Sequence, residues 1–302
     1  MRKLLCRGAA CAVFSAVLAS ARVAAAHGFA GDRFFPPTIA TDDPFAVDEF
    51  AFPTVSYVKN AGAPPNHETD AGFEFDKEIF PHFAVGVSDT YIYQKPEHGP
   101  SIHGWDNLAV TAKYELWIQA EHEFIVSAGL ESDIGGTGAA SIGRDSFSTF
   151  TPKLYVGKGF GDLPDTLGLM RPFALTGEFG QSFLTEAVSP NTFQWGFALE
   201  YSIPYLMQNV QDTGIPRPFR DMIPLVEFAL ETTENRPGRG LTTGTINPGI
   251  LYENPYFQLG VEANIPINGR SGAHVGVTIQ AWIYIDDIFP KTFGHPLFGE
   301  RT

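Results

Sequence analysis

The segment "NTFQWGFALEYSIP", residues 191–204, alternates at every position between large apolar and smaller or polar side chains. Successive side chains of a β-strand point to opposite faces, so this period of two predicts a long strand with one continuous apolar face. The opposite face carries the carboxylate of Glu200, which is costly to bury without a partner in a dry core. The apolar set is Phe193, Trp195, Phe197, Leu199, Tyr201 and Ile203, and the other set is Thr192, Gln194, Gly196, Ala198, Glu200 and Ser202.

The same alternation recurs along most of the chain, as in "FQLGVEANI" (257–265) and "HVGVTIQAWIYI" (274–285). Most of these segments are longer than the five or six residues typical of soluble strands, and they match the roughly 9 to 11 residues that a tilted strand needs to cross a bilayer. Twelve strands are predicted, at 49–58, 71–79, 82–93, 105–118, 122–133, 147–158, 170–181, 191–203, 221–233, 244–253, 256–265 and 274–286.

The connections between these strands alternate in length. Short turns, "FP" (80–81), "QAE" (119–121) and "NP" (254–255), fall between longer gaps, as in bacterial barrels with short periplasmic turns and long external loops. Two connections, 159–169 and 204–220, are long where short turns are expected. They hold either a helical turn at the periplasmic rim or an undetected strand.

Together these patterns predict an all-β fold, a single antiparallel transmembrane β-barrel of about 12 strands over residues 49–286, in the bacterial outer membrane. Closing the sheet into a barrel gives every strand a hydrogen-bonded neighbour on both sides. Hydrocarbon requires this because it offers the backbone N–H and C=O groups no hydrogen-bond partner. A soluble periplasmic β-sandwich or jelly roll also alternates and is the other fold considered. Aromatic residues near strand ends are predicted to form interfacial girdles: Tyr91, Tyr93, Trp105, Trp195, Tyr201, Tyr252, Tyr256 and Trp282.

The first 26 residues have a basic start, an apolar stretch and small residues before Ala26, which predicts a secretory signal peptide. Both cysteines, Cys6 and Cys11, lie within it, so disulfide and thiolate chemistry are excluded from the remainder. Residues 27–48 are rich in Pro and Phe without a strand period and are predicted to form an irregular N-terminal arm or plug; residues 287–302 form a C-terminal tail.

The net charge of the chain indicates which classes of molecule it can bind. Without residues 1–26 the chain has 34 acidic and 16 basic residues, a net charge of −18, which disfavours nucleic acid. The expected partners are outer-membrane lipid, a small-molecule solute and, during biogenesis, the barrel-assembly machinery.

Carboxylates recur on the polar faces of the predicted strands and should line the lumen. An interior with one sign of charge attracts counter-ions, so cations or neutral solutes should pass more readily than anions. Ion pairs with Lys113, Lys153, Arg144 or Arg171 are the alternative role for any one of these acids. The residues predicted to set selectivity are Glu115, Glu131, Glu178, Glu200, Glu227 and Glu262.

No catalytic, cofactor or metal site is predicted. The loop "PEHGPSIHGWD" (96–106) has metal-ligating residue types but no decisive spacing, and the His-x-Ser of outer-membrane phospholipase A is absent from the sequence. The prediction is therefore a non-enzymatic channel or transporter for small solutes. A non-conducting structural or surface-binding barrel, filled by aromatics such as Trp117, Trp282 and Tyr284, is the alternative, and an outer-membrane hydrolase is a third.

Several segments, including "FSTFTPKLYVGKGFGDLP" (147–164) and "NPGILYENPYFQLGVEANIPING" (247–269), resemble those of uncharacterised proteobacterial outer-membrane proteins. The chain is also loosely similar to the putative transporter family of the phenol-degradation meta-pathway. The resemblance implies a β-barrel that moves small, often aromatic or hydrophobic solutes. Such barrels usually end on a strand with a terminal Phe, whereas this chain continues to Thr302, so either Phe289 would have to substitute or the tail would fold back into the barrel.

Overall fold

The computed structural model describes residues 28–60, 65–187 and 189–299, and the predicted signal peptide at 1–26 lies outside this range. Twelve long strands form the barrel, each pairing antiparallel with its neighbours in the sequence, and two short strands, Ile102–Trp105 and Phe183–Leu184, extend the sheet in the long loops. The long strands are β1 (Glu49–Asn60), β2 (Asn66–Phe80), β3 (Phe83–Pro96), β4 (Ala109–Gln119), β5 (Phe124–Asp133), β6 (Thr149–Gly159), β7 (Phe173–Gln181), β8 (Thr192–Tyr201), β9 (Met222–Thr233), β10 (Thr242–Asn254), β11 (Phe257–Pro266) and β12 (Gly276–Tyr284).

The sheet closes because β12 pairs with β1, in the register Val277↔Tyr57 and Ile283↔Phe50. Every long strand therefore has two hydrogen-bonded neighbours, which removes the open edges that hydrocarbon does not tolerate. The predicted fold, a single closed barrel of twelve antiparallel strands, is confirmed.

The alternating faces separate an apolar exterior from a mostly polar interior. On β11, Leu259 and Val261 are exposed on the outside, whereas Gln258 and Glu262 are buried on the inside. The segment at 191–204 behaves in the same way, with Leu199 outward and Glu200 inward. A closed barrel with an apolar outer surface is the architecture of outer-membrane proteins, and the bacterial outer membrane is the location of this chain.

Two aromatic residues do not take the positions assigned to them from the sequence. A β-bulge between Glu115 and Trp117 places both Leu116 and Trp117 on the outside, at 55% and 56% exposure. The prediction that Trp117 fills the pore is therefore wrong. Trp282 lies inside the barrel with Tyr284, so its assignment to an interfacial girdle is wrong.

The two unexpectedly long connections contain helical turns and no further strand. One holds a 3₁₀ helix at Asp165–Met170. The other holds a short α-helix at Ile203–Tyr205, a π-turn at Leu206–Val210 and a 3₁₀ turn at Phe219–Asp221. These connections and the short turns share one end of the barrel, called here the short-turn end, and the opposite end is the long-loop end. Across the described part of the chain, no helix is long and apolar enough to cross a membrane.

An outward arginine at mid-strand should destabilise the barrel. Val261 is exposed near the middle of β11. Val261→Arg would place a charged side chain in hydrocarbon and should lower the free energy of unfolding by about 2–4 kcal/mol. Phe257→Arg, at the start of the same strand, should cost about 0–1 kcal/mol because the charge lies near the interface. Equilibrium urea unfolding in lipid vesicles measures both, and equal costs would contradict this placement of the membrane.

Candidate functional site

The barrel interior is occupied by residues 28–48, called here the arm. The arm begins at the short-turn end with a two-stranded hairpin, Phe29–Ala30 against Arg33–Phe34. It then enters the lumen and returns to the start of β1 at Glu49. Its deepest part, residues 38–43, is called here the arm tip. Phe35 and Phe45 of the arm pack in one buried cluster with Ile125 of β5.

Arg33 fixes the arm at the short-turn end. Its side chain is 0% exposed, and its Nε donates to Glu123 Oε2 at 3.2 Å. Its two terminal nitrogens donate to the backbone carbonyls of Pro172 and Arg171, at 3.0 and 2.5 Å. The guanidinium also lies 3.7 Å from the centre of the Tyr205 ring, a cation–π distance.

Glu123 completes this anchor from the turn between β4 and β5. Besides Arg33, it accepts hydrogen bonds from the backbone N–H of Gly161, at 2.9 Å, and from the Tyr205 hydroxyl, at 2.7 Å. Burial, reinforced by the bond to Glu123, raises the pKa of Tyr205 to about 12, so its hydroxyl stays a donor. The arm is thus held by a buried ion pair in which both partners have further hydrogen bonds.

Glu227 of β9 holds the arm tip. Its two carboxylate oxygens accept three successive backbone N–H groups, from Ile39, Ala40 and Thr41, each at 2.8 Å. The Thr41 hydroxyl adds a fourth bond at 3.0 Å. Space for the tip comes from Gly196 of β8, where an added Cβ would lie only 2.7 Å from the Thr41 Cγ2.

Two further contacts tie the arm to β4. Lys113 Nζ donates to the Asp42 carboxylate and to the Asp43 carbonyl, both at 2.8 Å. Glu115 accepts from the Ala46 backbone N–H at 2.8 Å and pairs with His82 Nδ1 at 2.6 Å. The arm is therefore bonded along its length to opposite walls of the barrel.

The six glutamates predicted to set selectivity lie on the inner face but do different things. Glu115 and Glu227 bind the arm, as described above. Glu131 and Glu178 share Lys153, whose Nζ lies 2.6 and 3.3 Å from their carboxylates. Glu200 and Glu262 are each 2% exposed, and each has one carboxylate oxygen without a hydrogen-bond partner.

Three cavities lie in the lumen at the arm tip and between it and the long loops. A cavity of about 490 Å³ has Ile39 and Ala40 of the tip in its wall, and a smaller one of about 220 Å³ surrounds the tip on the side of Lys153. A third, of about 340 Å³, lies among the long loops around Arg144. On the other side of the arm, a cavity of about 420 Å³ opens beside Phe34 at the short-turn end.

Two metal-ligating side chains of the loop at 96–106 bond to other side chains of the protein. His103 Nδ1 bonds to the Tyr91 hydroxyl at 2.5 Å, and Asp106 pairs with Arg144 at 2.9 Å. Within the ranges that the structure describes, no group of three or more His, Cys, Asp or Glu side chains could hold a metal ion.

The C-terminal tail returns to the barrel wall at the short-turn end. The backbone N–H groups of Leu297 and Phe298 donate to the carbonyls of Glu78 and Ile79 on β2, at 3.1 and 2.9 Å. The Lys77 ammonium bonds to the carbonyls of Phe293 and His295. The tail therefore folds back as one of the two alternatives has it, but it packs against the barrel wall, with Phe293, Leu297 and Phe298 exposed, and not into the barrel.

The functional residues that sequence reasoning missed are Arg33 and Glu123. Arg33 stands in a segment without periodicity, and Glu123 follows a short turn, so neither shows a pattern that places it inside the barrel. The one available signal was scarcity, since Arg33 is a rare base in an acidic chain.

No protein-family model matches this chain, and no curated protein sequence matches it. The resemblance to the phenol-degradation transporter family therefore has no family match behind it. Among solved structures, the NanC porin has 10% identity and a TM-score of 0.47, with 77% of this chain and 98% of the porin covered. The KdgM porin has 11% identity and a TM-score of 0.43, covering 76% and 98%. An outer-membrane channel from Pseudomonas putida has 11% identity and a TM-score of 0.48, covering 83% and 99%. Similarities this distant do not establish a shared function.

Proposed function

We propose that this protein is an outer-membrane channel for small solutes, that its lumen favours cations and neutral molecules over anions, and that the arm acts as a plug. The observation that carries the proposal is the interior itself: polar cavities lead from the long loops to the arm tip, and carboxylates recur along their walls. A structural barrel needs no such space, because side chains from twelve strands and the arm could fill it.

The charge pattern supports a preference for cations. Lys153 is shared by two glutamates, and Lys113 is neutralised by the arm itself through Asp42. Glu262 has no basic partner among the described residues, and it lines the larger of the two cavities described beside the arm tip. Its field is therefore available to a passing solute, and a channel wall with unpaired negative charge concentrates cations.

Ion selectivity tests this proposal in planar bilayers under a KCl gradient. The reversal potential should show a preference for K⁺ over Cl⁻, and Glu262→Gln should weaken it. A unit charge at 4 Å in water is worth about 1 kcal/mol, so the change in the permeability ratio should be at most about fivefold. Glu121→Gln removes the same charge from an exposed position in the short turn after β4 and should leave the ratio unchanged.

Anion selectivity of the unsubstituted protein would contradict the proposed lumen. Absence of conductance in that protein and also in variants that release the arm would favour the non-conducting barrel. Conductance that appears only on release of the arm supports the plug.

A further inference from the structure

The cavity of about 490 Å³ lies on one side of the lumen, between the arm tip and the long loops. Its walls come from strands on one side of the barrel, β1 to β3 and β9 to β12, and Ile39 and Ala40 of the tip contribute to it. The opposite side of the lumen holds the two inward lysines, Lys113 and Lys153. The two sides therefore differ in the partners of their carboxylates, since Glu131 and Glu178 on the lysine side pair with Lys153.

Unpaired acceptors are concentrated around this cavity. One side-chain oxygen each of Asp70, Asn247, Glu262 and Gln280 is buried without a hydrogen-bond partner, and all four residues line the cavity. Asn247 is 1% exposed, Glu262 2% and Gln280 6%. A buried acceptor without a donor is costly, so this arrangement is matched to a ligand that brings hydrogen-bond donors.

The charge of the cavity specifies the donor further. Asp70, Glu74 and Glu262 line it, while none of the lining residues that the structure describes is a lysine or arginine. A neutral polyol would supply donors but would leave these carboxylates without a counter-charge. A primary ammonium group supplies both, with three N–H donors and a positive charge.

The spacing of the carboxylates fits a ligand charged at both ends. In the sheet register, Asp70 of β2 pairs with Ser56, Ser56 pairs with Thr278, and Thr278 pairs with Glu262. The two carboxylates are thus three strands apart, about 14 Å along the wall at the usual strand spacing, and their inward side chains shorten the gap. One metal ion does not span this distance, whereas a linear diamine does.

We infer that this cavity is a binding site for a linear aliphatic diamine or polyamine, held at one end by Glu262 with Asn247 and Gln280, and at the other by Asp70. The inference deepens the proposed channel function, on which it rests, by naming a substrate class. The ligand would lie directly on the arm tip, because Glu227 of β9, which binds the tip, is the register partner of Asn247.

Titration calorimetry on the full chain in detergent tests the site, with hexanediamine as the probe and hexanediol as its uncharged counterpart. We expect saturable binding of one diamine per chain and no saturable binding of the diol. Glu262→Gln and, on a separate strand, Asp70→Asn should each weaken diamine binding about tenfold or more, the usual value of a hydrogen bond to a charged group. Glu121→Gln, with the same loss of charge outside the lumen, should leave the affinity unchanged. Heat-modifiable migration on a gel identifies variants that retain the folded barrel.

Several results would overturn the inference: no saturable diamine binding, equal binding of the diol, or equal weakening by Glu121→Gln. Displacement of the diamine by an equimolar amount of Mg²⁺ would also overturn it, since the site would then be a metal site. The result is separable from the channel proposal, because binding is measured without a membrane. Binding without conductance would retain the site and reject the channel, and conductance without binding would do the reverse.

Discussion

Arg33→Met should raise the conductance of the barrel by releasing the arm at its short-turn end. Methionine keeps much of the length of the arginine side chain but removes all its donors, so Glu123 and two backbone carbonyls lose their partner. Removing one partner of a buried ion pair costs about 3–5 kcal/mol, because the other charge stays buried without its counter-charge. That cost falls on the closed state in which the arm occupies the lumen.

Single-channel recording in planar bilayers measures this effect, and urea unfolding measures the accompanying loss of stability. Arg217→Met is the matched control at the same end of the barrel. Arg217 pairs with Asp221 at 3.2 Å, but its side chain is 79% exposed, so the pair is worth about 0–1 kcal/mol. The control should change neither conductance nor stability appreciably.

Glu227→Gln gives an independent route to the same open state by releasing the arm tip. The amide keeps one acceptor oxygen, but its NH₂ group would face backbone donors of the arm tip. Losing bonds worth about 1 kcal/mol each would shift the equilibrium of the tip by up to about a hundredfold. Unchanged conductance in both variants, with the barrel intact by heat-modifiable migration, would mean that the arm is not the plug.

The sequence predicted the barrel well because one physical rule governs most of it. Lipid on one side and a polar lumen on the other impose a period of two on every strand, and antiparallel pairing places successive connections at opposite ends of the barrel. The rule failed locally at Trp117, where a bulge inserts one residue and moves the side chain to the other face. A single sequence has no marker for that insertion.

The period of two predicted less of the candidate site than of the barrel. Periodicity placed the six glutamates on the inner face, but it could not say which of them has a partner. Glu227 binds Thr41, 186 positions away in the sequence, and Glu123 binds Arg33, 90 positions away. Such contacts depend on how the arm folds back into the closed barrel, and the arm has no period from which its path could be deduced. The acidic excess was therefore predictable, whereas its division into paired and unpaired carboxylates was not.

A disulfide between the arm tip and β8 should reverse the effect of Arg33→Met. In a chain without Cys6 and Cys11, the substitutions Thr41→Cys and Gly196→Cys place a sulfur close to the position of the Thr41 Cγ2, which lies 2.7 Å from a Cβ built at Gly196. This proximity is suited to a disulfide once β8 shifts by a few tenths of an ångström, because the same Cβ also lies 2.7 Å from the Phe228 carbonyl oxygen. Oxidation should then bring the conductance of the Arg33→Met protein back to that of the unsubstituted protein, and a reducing agent should restore the high value.

The variants with only one of the two cysteines are the controls and should not respond to reduction. If the cross-link forms, as shown by mass spectrometry, and the conductance stays high, solutes pass without displacement of the tip. In that case the arm tip would only line the barrel wall, and it would not act as a gate. Gly196, in the segment 191–204 that predicted the barrel, would then serve only to make room for the tip.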